Sequence, residues 1–375
     1  MSKNDPRTAA SAFALPGPVE SVSPYGSGHI NDSYLVVCGG SAPPPRFILQ
    51  RLNTDIFREP ERLMENVERV TRHVRTKLEA GGVDDFDAAV DLDRRRLTLV
   101  PARDGRSFTR DGAGNVWRVY RFVEGATSRD AVTTPEEARQ ASFAFARFAR
   151  LLSDLPNPRL HETIPLFHHT PSRFDALLDA VRRDPLRRVA DARETVDAYL
   201  SREELASAFV APLLDGRLTE RVAHNDTKIN NVLLDDATGE GICVIDLDTV
   251  MPGLFLHDFG DLVRTAVCPA AEDEPDTSRI AVELPLFSAL VKGALDGLDG
   301  QLSPFERESL PLSGRLLTFE CGSRFLTDHL LGDTYFKVHR PGQNLDRARA
   351  QLALLRSMEE RADELSRAVE DAAGG

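Results

Sequence analysis

The feature that most restricts this chain is a pair of acidic runs near its middle. His224-Asn225-Asp226-Thr227-Lys228-Ile229-Asn230-Asn231 is followed, after a short strand and a turn, by Val244-Ile245-Asp246-Leu247-Asp248. Cys243-Val244-Ile245 is apolar and short, so Asp246 at its mouth is held by buried backbone rather than by a mobile loop. Any fold that accepts this sequence must keep several oxygen-bearing side chains on rigid supports. Taken alone, Asp226 reads as a turn or helix-capping aspartate. With His224, Asn231 and Asp246 at ordered spacing, a chemical site is the stronger reading.

The chain has 375 residues, 41% of them hydrophobic, enough for one large bilobal unit or several ordinary domains. With 46 Lys plus Arg against 59 Asp plus Glu, its formal charge of -13 gives no general reason to bind nucleic acid or anionic lipid. Cys38, Cys243, Cys268 and Cys321 lie far apart with no Cys-x-x-Cys pair, which argues against structural zinc and a disulfide scaffold. A reducing cytoplasm is the expected compartment. Met1 to Ser11 leads into no sustained apolar core, and no run reaches the roughly 18 apolar residues of a membrane span. No association motif stands out, so a monomer is expected.

Residues 1 to about 17 read as a loose leader. From Val19 to Gln50 the pattern is strand, glycine-containing turn, strand, Gly/Ser/Pro loop and strand. Pro60 followed by Leu63, Met64, Val67, Val70 and Val74 marks an amphipathic helix over one face of that sheet. Leu97 to Val100 and Trp117 to Val123 resume the strand pattern around a turn at Asp111 to Asn115. From Pro135 the texture becomes helical, with later segments near 281–298, 312–331 and 344–369, the last expected to be a packed terminal helix. The expected lobes are 18–124, built on an antiparallel sheet and binding a nucleotide, and 125–375, mainly helical and holding the catalytic and substrate sites.

A hydroxyl that accepts a phosphoryl group must be oriented and relieved of its proton, which suits Asp226. Asn231 offers an amide oxygen to magnesium while its nitrogen braces the loop, and Asp246 offers a hard carboxylate. Lys228 is either a charge partner for phosphate or a surface lysine. Asp248 reads equally as a water-linked metal group or a hydrogen-bonded turn carboxylate. Tyr25-Gly26-Ser27-Gly28-His29-Ile30-Asn31 lies at the first hairpin, where glycine lets backbone amides approach phosphate oxygens; an ordinary hairpin with a turn amide at Asn31 is the alternative. Trp117, Tyr120 and Phe122 read as packing residues. The backbone at Val123-Glu124-Gly125 is the better candidate for adenine contacts.

Residues His224 through Asp261 resemble the aminoglycoside phosphotransferase and choline kinase superfamily, and the order of the lobes fits it over roughly residues 20 to 360. Tyr25 to Tyr34, Phe47 to Asn53, Ile245 to Pro252, Arg324 to Asp328 and Tyr335 to Lys337 resemble bacterial N-acetylhexosamine 1-kinases more closely. The resemblance implies a bilobal, protein-kinase-like α+β fold and transfer of the ATP γ-phosphate to the anomeric hydroxyl of N-acetylglucosamine or N-acetylgalactosamine. It implies Asp226 as base, Asn231 and Asp246 as magnesium ligands and Gly26 to Asn31 as nucleotide loop; His224, a further catalytic candidate, is either an alternative base or, two residues before Asp226, a loop brace. Gln50 stands where a kinase strand carries lysine, and Arg51 should face the opposite side of the sheet. Glu65 on the next helix either braces that strand or is exposed. Arg324, Asp328 and Tyr335 are the candidate sugar contacts, with an Arg324–Asp328 helix pair and a loop anchor at Tyr335 as alternatives. Asp258 and Asp261 are expected at a helix start or wall, and Arg264 on a nearby aspartate.

Overall fold

The computed structural model describes residues 5–26, 30–81 and 91–374. In chain order the elements are α1 Pro6–Ser11, β1 Val19–Pro24, β2 Asp32–Cys38, β3 Arg46–Arg51, α2 Pro60–Glu79, β4 Leu99–Val100, β5 Phe108–Arg110, β6 Val116–Arg121 and β7 Ala126–Thr127. They continue with α3 Pro135–Leu151, α4 Thr170–Arg183, α5 Arg193–Leu200, α6 Glu203–Ala206, α7 Val210–Leu214, β8 Arg221–Ala223, β9 Val232–Asp235, β10 Gly241–Val244 and β11 Met251–Gly253. The rest is helical: α8 Phe255–Ala266, α9 Leu284–Leu298, α10 Pro304–Glu308, α11 Leu310–Leu331, α12 Gln343–Glu360 and α13 Ala362–Gly374. This is the expected α+β kinase-like architecture, with an N-terminal antiparallel sheet and a larger helical part. Two compact units are present: one takes 1–126, 154–165 and 242–251, the other 127–153, 166–241 and 252–375. Among the described residues no helix is long and apolar enough to cross a membrane.

In the first unit, β1, β2, β3, β6 and β4 pair in that order, with β5 also on β6. Period-two alternation decides the two faces. Phe47, Leu49, Trp117 and Val119 lie on one face in a buried cluster with Val36, Cys38, Ala9, Ala10 and Phe13. The expected loose leader is therefore corrected: Asp5 caps α1 through the Arg7 and Thr8 amides, and Ala9, Ala10 and Phe13 complete the core. Three small or aromatic apolar residues at helical spacing stabilise a helix this short only by burial. The other face carries the polar row described below. Pro60 sits in the first turn of α2, where its missing N–H costs nothing, and Leu63, Met64, Val67, Val70 and Val74 form the expected buried stripe.

The helical unit packs through glycines that let backbones approach. A Cβ at Gly260 of α8 would strike the Ser313 carbonyl of α11, and one at Gly314 would come within 2.7 Å of Val263 Cγ1, so the α8–α11 crossing needs glycine on both helices. Gly297 meets α3 in the same way: a Cβ there would come within 2.6 Å of Ala146 Cβ. The expected single terminal helix is in fact two: Arg361 leaves helical geometry between α12 and α13, and its guanidinium holds Glu364 at 2.9 Å. Helix α4, capped by the His169 ring on the Ser172 amide, has no counterpart in the sequence reading.

Candidate functional site

In the helical unit, β8 delivers the chain into the loop His224–Lys228, and a short 3-10 turn at Ile229–Asn231 leads into β9. Asn225 has φ +64°, a left-handed conformation that asparagine tolerates better than most side chains. That turn is fixed at both ends of one residue. Asp258, in the first turn of α8, accepts from the His224 and Asn225 amides at 2.9 and 2.7 Å, while the Asn225 carbonyl accepts from His168 Nε2 at 2.9 Å. Thr227 adds its hydroxyl to the Asp258 carbonyl.

Held this way, the loop gathers three of the expected side chains. Lys228 Nζ lies 2.8 Å from Asp226 Oδ1, and Asn231 Nδ2 donates to Asp226 Oδ2 at 3.0 Å and to its carbonyl at 2.8 Å. Burial opposes the Asp226 charge, but the Lys228 ammonium beside it more than offsets that and holds the carboxyl below the usual carboxylate range. The Asp226 and Lys228 side chains keep 22% and 41% of their exposure, so this carboxylate is ionised and still reachable. His224 is buried, packs edge-on against Phe145 at 5.3 Å, and its Nδ1 takes the Asp226 amide at 3.3 Å, the geometry of a brace.

Beneath the loop lies a second ion pair that sequence reasoning missed. His168 Nε2 faces a carbonyl and Nδ1 faces Glu320 Oε1 at 2.8 Å; the carbonyl only accepts and so does Glu320 once ionised, so with Glu320 held low both ring nitrogens carry hydrogen. His168 is an imidazolium. Burial works against that charge, yet Glu320 raises the His168 pKa, and despite its own burial Glu320 is pulled down to about 2 by His168 and the Thr170 hydroxyl. His257, with its ring 5.3 Å from His168, is driven down to about 3 by burial and stays neutral. Glu320 carried a readable signal: a lone carboxylate in the otherwise uncharged run Leu316-Leu317-Thr318-Phe319-Glu320-Cys321-Gly322. His168 carried none.

The first unit holds the other acidic run. Strand register sets Ser33 opposite Gln50 and Gln50 opposite Arg118, so the three form one transverse row on one face. Gln50 Oε1 accepts from Arg118 Nε and Nη2 at 3.0 and 2.8 Å, and Gln50 Nε2 donates to Ser33 Oγ at 3.0 Å. Arg118 Nη1 pairs with Asp248 Oδ1, and Asn31 Nδ2 donates to Asp248 Oδ2 at 2.6 Å. Asn31 Oδ1 in turn accepts the Asn53 amide at 3.0 Å. Asp248 thus has the turn-carboxylate kind of role, and Asp246, two residues earlier, stands at φ +56°. Arg51 falls on the opposite face and pairs with Asp32.

The remaining expected residues fall as follows. Gly26 has φ +80°, which a turn glycine permits, whereas Ser27, Gly28 and His29 lie outside the described residues. Val123 is buried, Gly125 has φ +64°, and the Glu124 and Gly125 carbonyls accept from Arg94 at 2.8 and 2.7 Å. Glu65 bonds His161 at 2.9 Å. Arg264 pairs with Asp261 at 2.7 Å. The Arg324 guanidinium stacks near Phe167, Tyr335 and Phe336 and reaches the Tyr335 hydroxyl at 3.3 Å; Tyr335 is 61% exposed. Asp328 accepts the Thr334, Tyr335 and Phe336 amides and the Asn344 side chain, which organises the loop that carries Tyr335.

The model of the phosphotransferase enzyme family APH matches residues 21–290. The chain belongs to that family. An aminoglycoside phosphotransferase from Alicyclobacillus acidocaldarius shares the fold of this APH-family chain at TM-score 0.59 and 13% identity, covering 99% of this chain and 98% of that one. A choline/ethanolamine kinase family protein from Mesorhizobium loti aligns at 0.52 with 17% identity over 98% of both chains. Choline kinase from Cryptosporidium parvum aligns at 0.53 with 13% identity over 92% and 90%. Among the described residues no group of three or more His, Cys, Asp or Glu forms a metal centre. A magnesium ion that keeps water and phosphate oxygens needs fewer protein ligands than that. Asn231 fits such an ion, since its nitrogen is spent on Asp226 and its oxygen is the atom that can face a hard cation.

Proposed function

We propose that this APH-family protein transfers the γ-phosphoryl group of ATP to a hydroxyl of a small molecule, with Asp226 taking the acceptor proton. The observation that carries the reading is the Asp226 carboxylate: ionised, partly open to solvent, and fixed by Lys228, Asn231 and the clamped Asn225 peptide. A carboxylate held in one orientation directs the incoming hydroxyl and receives its proton as the new bond forms. Lys228 keeps Asp226 charged in the free enzyme and stands beside developing phosphate charge. Asn231 in the helical unit and Asp246 in the sheet unit are each, by residue type, a candidate magnesium ligand, and magnesium when bound would supply positive charge to phosphate oxygens. ATP is assigned to the sheet unit, with Gly26 to Asn31, Gln50 and the Val123–Gly125 backbone as its contacts.

At a finer level the acceptor is an N-acetylhexosamine phosphorylated at its anomeric hydroxyl. The support is the Arg324–Tyr335 pair: an exposed aromatic face next to a guanidinium suits a sugar ring bearing an amide and several hydroxyls. Asp328 acts in this reading by holding the Tyr335 loop. Phosphorus NMR of products from a panel of N-acetylglucosamine, N-acetylgalactosamine, other sugars, choline, homoserine and an aminoglycoside tests both levels. A sugar 1-phosphate is expected. Transfer only to a non-sugar removes the finer reading, and ATP binding with no transfer to any acceptor removes the coarser one. Soluble expression with activity in cell extract, and the mass in solution, test the cytoplasmic and monomeric expectations.

A further inference from the structure

A nucleotide-binding sheet without a strand lysine must present something else to phosphate. We propose that Gln50 is a directed, uncharged hydrogen-bond donor to phosphate whose amide is locked into its donating orientation by Arg118, a positioning residue. This rests on the assignment of ATP to the sheet unit.

A glutamine amide can flip, exchanging its donor and acceptor ends at little cost. Here it cannot. Both Arg118 contacts come from N–H groups, so the atom they meet must be Oε1, and the NH2 group is forced to the other end. One amide hydrogen is used on Ser33 Oγ, the next member of the transverse row. The second remains, on a side chain that is only half-buried. Arg118 itself is fully buried and cannot reach a ligand; its Nη1 is spent on Asp248, whose other oxygen holds Asn31 at the exit of the first hairpin. Tyr120 and Met64 fill the space around the guanidinium. The same knot therefore fixes the hairpin exit, the acidic segment and the Gln50 amide.

The chemical consequence concerns charge. A strand lysine brings a full positive charge to the phosphates; this arrangement brings an oriented dipole, because Arg118 is neutralised by Asp248. The ligand class is a nucleoside di- or triphosphate, with affinity for the phosphates separable from affinity for the nucleoside. Lysine at position 50 would face a buried guanidinium and is disfavoured by like charge.

The test is calorimetric binding of ATP and of adenosine to the full chain, with magnesium, for the unaltered protein, Gln50→Leu, Gln50→Glu and Arg118→Lys. Gln50→Leu should weaken ATP by about tenfold or more, the usual range for a hydrogen bond to a charged group, and leave adenosine within about twofold. Gln50→Glu keeps the Arg118 contact and should weaken ATP further through repulsion. Arg118→Lys keeps the charge and loses the two-pronged hold, so the ATP-to-adenosine affinity ratio should fall; if it folds poorly, the two Gln50 variants still decide. An unchanged ratio in both Gln50 variants, with ATP still bound by the unaltered protein, overturns this inference alone. Failure of the unaltered protein to bind ATP overturns the functional reading beneath it.

Discussion

Asp226 and Asp248 are both aspartates with a cation at bonding distance, one in the helical unit and one in the sheet unit, yet their surroundings oppose each other. Asp226 keeps 22% of its side-chain exposure beside a Lys228 that keeps 41%, whereas Asp248 and Arg118 keep 3% and none. Lysine is a flexible, strongly hydrated point charge; arginine offers a planar fork that stays charged when buried. The exposed pair can exchange partners with solvent. The buried pair cannot, and its oxygens are divided between Arg118 and Asn31. Two carboxylates of one composition are thus a solvent-reachable group in one unit and a fixed part of the architecture in the other.

Substitution should separate them. Asp248→Ala leaves the Arg118 charge buried and unpaired and should cost about 3–5 kcal/mol of stability in denaturant titration. A loss below about 1 kcal/mol would mean that the guanidinium finds water or another partner. Asp226→Asn should lower turnover by roughly 10²-fold or more while ATP binding and unfolding midpoint stay close to those of the unaltered protein. Near-normal turnover removes Asp226 from the role of base.

How much of this contrast was legible follows from what each residue touches. Asp226 and Asn231 interact within one short loop, so their spacing in the chain carried the geometry. The α2 stripe and the face of Arg51 were readable because period 3.6 and period 2 fix them locally. Arg118 was hidden, since its partners are 68 and 130 residues away and only strand register unites them. The same holds for His168 and Glu320, 152 apart. The Asp258-Phe259-Gly260-Asp261 run was visible as letters, but its clamp on the His224 and Asn225 amides required the fold. Residues 6–13 were misread because three buried apolar residues are too few to signal a helix before the sheet face they cover is known.

His168–Glu320 sharpens the comparison, being buried like Arg118–Asp248 but able to titrate. The His168 pKa is raised above its ordinary 6.5, so its contribution is complete below 6.5 and fades as pH rises through the folded value. Glu320 is lowered from 4.5 to about 2, so its contribution is complete above 4.5 and fades as pH falls toward 2. The stability difference between the unaltered protein and Glu320→Gln should therefore peak between about pH 4.5 and 6.5, at about 1.5–3 kcal/mol for a charged hydrogen bond. Neighbouring His257 and Asp258 remain in both proteins, so their titrations largely cancel in the difference. A difference flat from pH 4 to 9 would show that the pair is not an imidazolium and a carboxylate.

The smallest expected effect concerns the exposed pair. Lys228 is the main influence that holds the Asp226 carboxyl low, against the opposing pull of burial. Lys228→Met should then move the acid limb of the turnover–pH profile to higher pH, because a base with a raised pKa is protonated sooner as pH falls. Lys228→Arg should leave that limb near its original place, since a cation remains at the same loop position. Turnover at neutral pH should change by less than about tenfold in the arginine variant, in keeping with the modest worth of a partly exposed pair. If Lys228→Met leaves the acid limb where it was, the limb belongs to another group. Asp226 and Asp248 would then differ only in exposure, and the lysine would have to act on phosphate instead of on the base.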